Sequence, residues 1–184
     1  VNPIRWDLGD GLVVRTYTPD DAQALYDLID ANREHLRPWM IWEHTTKNAN
    51  DTREFILRRL DDAVDLEGNG IWLDGELIGG AGLSIDLLGN SGEIGYWIAR
   101  AHEGKGIITR VCERFFDVAF DELGLHRMEL QAASGNARSR AVAGRLGMRE
   151  EGVARDGIRI ADGYLDSVEY GILEHEWRAR RVGA

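Results

Sequence analysis

The chain has a single cysteine, Cys112, and only three prolines among 184 residues. One cysteine excludes an internal disulfide, so packing and polar contacts alone must hold the fold. Repeats, low-complexity segments and linker-like stretches are absent, and one domain over residues 1–184 is expected. No apolar run nears the roughly 20 residues that cross a bilayer. The opening VNPIRWDLGDG lacks the basic flank and apolar stretch of a signal peptide. A cytoplasmic location is therefore the default expectation, with no membrane partner. His35, His44, His102, His126 and His175 are scattered without ligand spacing, so no metal site is expected.

Cations are also short. Lys and Arg number 22 against 32 Asp and Glu, a formal net charge of −10. That balance argues against a nucleic-acid partner. It suits a cationic amine, which a negative field concentrates, and it equally suits solubility alone. The tail EHEWRARRV is locally basic and reads as a solvated end. Asn50-Asp51-Thr52 matches a glycosylation sequon that a cytosolic chain would not use.

The chain has clear periodicity. LVVRT (12–16) alternates like a strand. Thr18 as N-cap and Pro19 at N1 predict a helix running toward Leu36, with Ala22, Leu25, Tyr26, Leu28 and Ile29 facing in. RPWMIWEHTTKNAN reads as a loop. DTREFILRRLDDAVDL predicts a second helix burying Phe55, Ile56, Leu60, Ala63 and Val64. GIWLDGELIGGAGLSID predicts a hairpin turning at Asp74-Gly75. A strand follows over 93–99. Ile108, Val111, Cys112, Phe115, Phe116, Ala119, Phe120 and Leu123 mark the clearest amphipathic helix. Cys112 on its apolar face reads as a buried thiol rather than a nucleophile. A strand (126–132), a helix (136–147) with Asn136 as N-cap and Gly147 at C′, and two closing strands complete a mixed α/β pattern.

HEGKGIIT (102–109) sets two glycines just before that amphipathic helix. Lys105 stands between them and Ile107 follows Gly106, which excludes a P-loop. Thr109 occupies the third position of a dinucleotide fingerprint, and MELQAA ends without an acid, so that pattern is weak. A third arrangement is Gln/Arg/Glu-x-x-Gly-x-Gly/Ala at the start of a long helix after a central strand. With GYWI, GKGIIT, LGLHR, NARSRAV, LGM and EG in this order, residues 92–157 resemble the RimJ/RimL branch of the GNAT acyltransferases. These are ribosomal-protein N-acetyltransferases and their relatives. LRPWMIW and the final SVEYGIL fit the same element order.

The resemblance implies a GNAT fold, a mostly antiparallel central sheet flanked by about four helices. It implies acetyl-CoA as co-substrate and an amine acceptor, with a homodimer as one assembly. Main-chain amides from Glu103, Gly104, Lys105, Gly106, Ile107, Ile108 and Thr109 would hold a diphosphate at the positive end of the helix. Glycine there avoids a Cβ that would keep the backbone from the phosphates. Trp97 and Ile98 would pair through main chain with the pantetheine arm, and an amide near Ile98 would polarise the thioester carbonyl. Asn136 and Ser139 would contact the same arm, with Ser139 near the thioester sulfur. Ser139 as proton donor and as a plain first-turn residue are both open.

Glu93 matches a glutamate common in this branch. It reads either as a general base or as a structural carboxylate. A second family glutamate falls at Ile158 here, which puts the identical substrate in doubt. Trp39, Trp42, Glu43 and His44 form a candidate amine pocket of two exposed tryptophans and an acid. Asp86 and Asp166 are weaker candidates. The acceptor is a protein N-terminal α-amine or a small antibiotic or metabolite amine, and a non-catalytic acyl-CoA-binding regulator is the alternative from another class.

Overall fold

Residues 3–60 and 66–182 are described by the structure, a computed structural model. In chain order the elements are β1 (Arg5–Asp7), β2 (Leu12–Thr16), α1 (Ala22–Ala31), α2 (Arg33–Leu36) and α3 (Ala49–Leu60). Then come β3 (Leu66–Leu73), β4 (Glu76–Asp86), β5 (Ser91–Ile98) and α4 (Ile107–Asp117). The chain closes with β6 (Arg127–Ala133), α5 (Ala137–Leu146), β7 (Arg149–Ile160), β8 (Gly163–Leu173) and α6 (Glu174–Val182). The strands form one sheet in the order β1-β2-β3-β4-β5-β6-β8-β7, with β5 and β6 parallel. The mixed, mostly antiparallel α/β sheet matches the expected class. Among the described residues there are six α-helices, because the first predicted helix breaks in two and the basic tail is helical. Among the described residues no helix is long and apolar enough to cross a membrane.

The chain divides into two compact units. The first comprises Val1–Gly82 and Tyr96–Ile107. Its core gathers Tyr17, Leu25, Ile29, Leu36, Ile56 and Trp72 among others. The start of the first helical stretch is fixed by Asp21, whose carboxylate accepts from the Thr18 amide at 2.7 Å. Both terminal nitrogens of Arg15 donate to the same carboxylate at 2.7 Å, and the guanidinium lies 3.7 Å from the centre of the Trp72 ring. The helix predicted to reach Leu36 stops at Asn32, where φ is −118° and ψ 14°. There the Asn32 side chain donates to the Leu28 carbonyl at 2.8 Å, competing with helix continuation.

Phe55 and Ile56 of α3 face the core as expected, but Leu60 is 42% exposed. Ala63 and Val64 lie outside the described residues. β3 begins at Leu66, the last residue of the stretch predicted as helix. The hairpin turns at Asp74-Gly75 with φ of 51° and 84°, the two positive values a type I′ turn requires.

The second unit comprises Leu83–Gly95 and Ile108–Ala184. Val111, Cys112, Phe115 and Phe116 of α4 are buried, and a wider helical turn over 118–122 buries Ala119 and Phe120. Leu123, past that turn, is 43% exposed against expectation. The tail expected to be solvated is instead α6. Its Trp177 packs on Phe116 and Phe120, and Arg181 donates to Asp117 and Asp121 at 3.0 and 3.1 Å. β8 pairs antiparallel with β6 and β7.

Candidate active site

Beyond β5 the chain makes one short turn, Arg100–His102, and reaches Glu103. Gly104 and Gly106 have φ of 71° and 75°. A Cβ at either would find no heavy atom within 4 Å. Glycine is therefore required by left-handed backbone as well as by any close approach, and open space lies over both α-carbons. α4 starts immediately afterwards, and the first amides of a helix have no acceptor within the helix itself. Its first turn carries no acid. Ile107 and Ile108 bury their side chains, so this part of the loop presents main chain. Lys105 is exposed. Thr109 Oγ1 accepts from Arg145 Nε at 3.1 Å, which sets a guanidinium from α5 beside the first turn of α4. Left-handed glycines leading into an acid-free helix start have the chemistry of a phosphate cradle built from amides.

The turn before the glycines is tied to the first helices. The Arg100 amide donates to Asn32 Oδ1 at 3.0 Å. His35 Nε2 lies 3.5 Å from Glu103 Oε1. The side chain of Glu103 is thus partnered within its own unit, whatever its main chain does.

Trp97 and Ile98 end β5, both half-buried. The Ala99 amide donates to the Ile78 carbonyl at 2.8 Å, anchoring the strand end on β4. Gly79 and Gly80 make that approach possible. A Cβ at Gly80 would stand 2.7 Å from Trp97 Nε1 and 2.9 Å from the Tyr17 hydroxyl. The Tyr17 hydroxyl in turn donates to the Gly79 carbonyl at 3.3 Å, and burial raises its pKa.

The expected amine pocket differs from its sequence reading. Trp39 and Trp42 are half-buried rather than exposed, and Trp42 meets the edge of Trp97 with ring centres 5.6 Å apart. Glu43 is buried. Arg33 donates to its Oε1 at 3.2 Å and to its carbonyl at 2.8 Å, and also to the Thr46 carbonyl at 2.6 Å. A carboxylate enclosed with a guanidinium holds the loop closed, which departs from the solvent-facing acid expected. His44 is exposed.

In the second unit, Glu93 is exposed on β5 and lies opposite Glu129 in the parallel register with β6. The Glu129 carboxylate accepts from Arg127 Nε at 2.7 Å. Asn136 caps α5, accepting from the Ser139 amide at 3.1 Å. Arg140 holds this helix start by donating to the Tyr170 hydroxyl at 3.0 Å and the Ser134 carbonyl at 3.3 Å. Asp86 accepts from the Leu88 and Gly89 amides and shapes the tip between β4 and β5. Asp166 accepts from the Asp156 amide across the bulge of β7. Ile158 is half-buried opposite Leu165.

Asn32, Gly79, Gly80 and Arg145 do not stand out in the sequence, although they contact the turn before the glycines, the end of β5 or the first turn of α4. The adjacent glycines inside a predicted strand were the one available signal, since they mark close backbone approach. Asn32 and Arg145 act on partners 68 and 36 residues away, which no local pattern reveals.

Known proteins are similar to this chain in sequence and fold. Residues 11–149 match the acetyltransferase (GNAT) domain. YdaF, a candidate ribosomal N-acetyltransferase of Bacillus subtilis (strain 168), is 38% identical over 179 residues, covering 95% of this chain and 97% of that protein. The crystal structure of a probable acetyltransferase superposes with a TM-score of 0.88 at 38% identity, covering 95% of this chain and 99% of the other. Mycobacterium smegmatis RimJ in complex with CoA-disulfide gives a TM-score of 0.78 at 26% identity, covering 98% and 93%. The chain belongs to the GNAT acetyltransferase family, in its RimJ/RimL-like branch.

Proposed function

We propose that residues 1–184 act as one acetyltransferase domain. It transfers acetyl from acetyl-CoA to a primary amine, the N-terminal α-amine of a ribosomal or other protein, by direct attack in a ternary complex. The observation that carries this reading is the pair of left-handed glycines, Gly104 and Gly106, set before an acid-free helix start. Amides and the helix end supply the positive potential, so Lys105 needs no second lysine beside it. The resemblance to RimJ in its CoA-disulfide complex supports the same donor.

Acetyl-CoA, when bound, supplies an activated acyl group on a thiol that leaves readily. The chain's own residues supply the rest. Trp97 and Ile98 offer main-chain groups for the pantetheine arm, and an amide near Ile98 polarises the carbonyl. Asn136 orients the start of α5, and Ser139 donates a hydrogen bond toward the leaving sulfur. Glu93, directly or through water, removes a proton from the attacking amine. An α-amine with a pKa near 8 is partly neutral at pH 7, unlike a lysine ammonium, which favours an N-terminus as acceptor. Trp39 and His44 remain the pocket residues open to an acceptor, because Glu43 is engaged by Arg33. The YdaF name supports a ribosomal acceptor and hence a cytoplasmic setting.

The test is acetyl-CoA with a panel of peptides, N-terminal α-amines against small amines, following thiol release and peptide mass. Acetylation confined to peptide N-termini supports the reading. Turnover of small amines alone redirects it to a metabolite or antibiotic acetyltransferase. Tight CoA binding without thiol release for any amine turns it to a binding regulator.

A further inference from the structure

The segment between β5 and Gly104 is held at both ends by side chains from the junction of α1 and α2. At its start the Arg100 amide donates to Asn32 Oδ1 at 3.0 Å. At its end Glu103 Oε1 lies 3.5 Å from His35 Nε2. Asn32 caps the junction and His35 lies three residues on in α2, and both side chains reach the same segment. Asn32 is itself fixed, since its Nδ2 donates to the Leu28 carbonyl at 2.8 Å. One side-chain amide therefore bridges the end of α1 to the approach of the glycine loop.

A loop with two glycines loses much conformational freedom when a ligand orders it. Fixing its approach beforehand removes part of that cost and raises affinity without any new ligand contact. We propose that Asn32 and His35 are positioning residues for CoA: they hold Arg100–Glu103 so that the Gly104–Gly106 main chain is set for a diphosphate. This rests on the reading of that loop as the diphosphate cradle. Neither side chain need touch CoA. α2 also leads directly into the segment carrying Trp39 and Trp42, so the same contacts join the donor loop to the acceptor segment.

Asn32→Ala removes both side-chain bonds of Asn32. It should weaken CoA binding about tenfold by calorimetry and raise the acetyl-CoA KM to match, with kcat at saturation within about twofold. Asn32→Asp keeps an acceptor for the Arg100 amide and loses the donor to Leu28. It should unfold at lower temperature yet bind CoA within about twofold of the parent. Hydrogen exchange of the amides from Arg100 to Gly106 in the CoA-free protein should be faster in Asn32→Ala. His35→Ala should give a smaller loss of CoA affinity, and unchanged affinity there removes His35. Asn32→Asp binding as poorly as Asn32→Ala would make Asn32 merely structural. Unchanged exchange in Asn32→Ala overturns the proposal too. A parent protein that fails to bind CoA overturns the cradle reading itself, whereas normal parental binding with unaffected Asn32→Ala overturns only the positioning role.

Discussion

Gly79 lies against the main chain of Trp97: a Cβ at residue 79 would stand 3.0 Å from Ile98 Cα and closer still to the Trp97 carbonyl oxygen. Backbone cannot swing aside as a flexible side chain can. Gly79→Ala must push the end of β5 away from β4. Overpacking of this kind costs about 1–3 kcal/mol. The expected outcome is a lower urea midpoint with an unchanged slope, together with a higher acetyl-CoA KM. A KM unmoved by this substitution would separate Trp97–Ile98 from the donor site.

Gly106 gives a cleaner perturbation, because the space over its α-carbon is open. Gly106→Trp incurs about 1–2 kcal/mol for the left-handed backbone. Thermal unfolding should still be cooperative. CoA affinity should fall by about a hundredfold or more, equivalent to roughly 2.7 kcal/mol. Unchanged affinity in calorimetry removes the loop from phosphate binding.

Glu93 is exposed, so Glu93→Gln should leave stability within about 0.5 kcal/mol. If its carboxylate takes the amine proton, turnover should drop most at low pH, where the free amine is scarcest. The measurement is kcat/KM against pH for both proteins. Superimposable profiles would leave Glu93 as a structural carboxylate.

Asp21 links folding to pH. The Arg15 hydrogen bonds hold its carboxyl below the ordinary carboxylate range, with burial opposing and the Thr18 amide assisting. A carboxyl depressed in the folded state stabilises above its unfolded pKa, near 4, and loses that contribution as pH falls through the lower folded value. Asp21→Asn should therefore cost about 1–2 kcal/mol at pH 7. Urea midpoints of the two proteins should converge as pH falls below the ordinary carboxylate range.

The parts legible in the sequence are those whose cause is local. Ile108, Val111, Cys112, Phe115 and Phe116 announce α4 by spacing alone. Asn136 and Gly147 mark the ends of α5 because each performs its task within its own turn. Asp74-Gly75 does the same for its hairpin. What stayed hidden depends on distant partners. Asn32 reads as an acceptable helix residue until the Arg100 amide appears beside it. The arginines after Trp177 look solvated because their acids, Asp117 and Asp121, lie about sixty residues earlier. Glu43 looks available to a substrate until Arg33 is seen enclosing it. The glycine loop and its helix have a local signature, whereas the contact between Arg33 and Glu43 has none.

Cys112 sits fully buried on α4, and burial pushes its thiol pKa up. It is the chain's only cysteine. Its sulfur is accordingly inert to disulfide reagents while the fold is closed. In an assay that titrates coenzyme with such a reagent, the folded protein contributes no background. Any slow modification of the protein itself reports transient opening around α4. One sample can thus yield a catalytic rate from the fast signal and a conformational opening rate from the slow one.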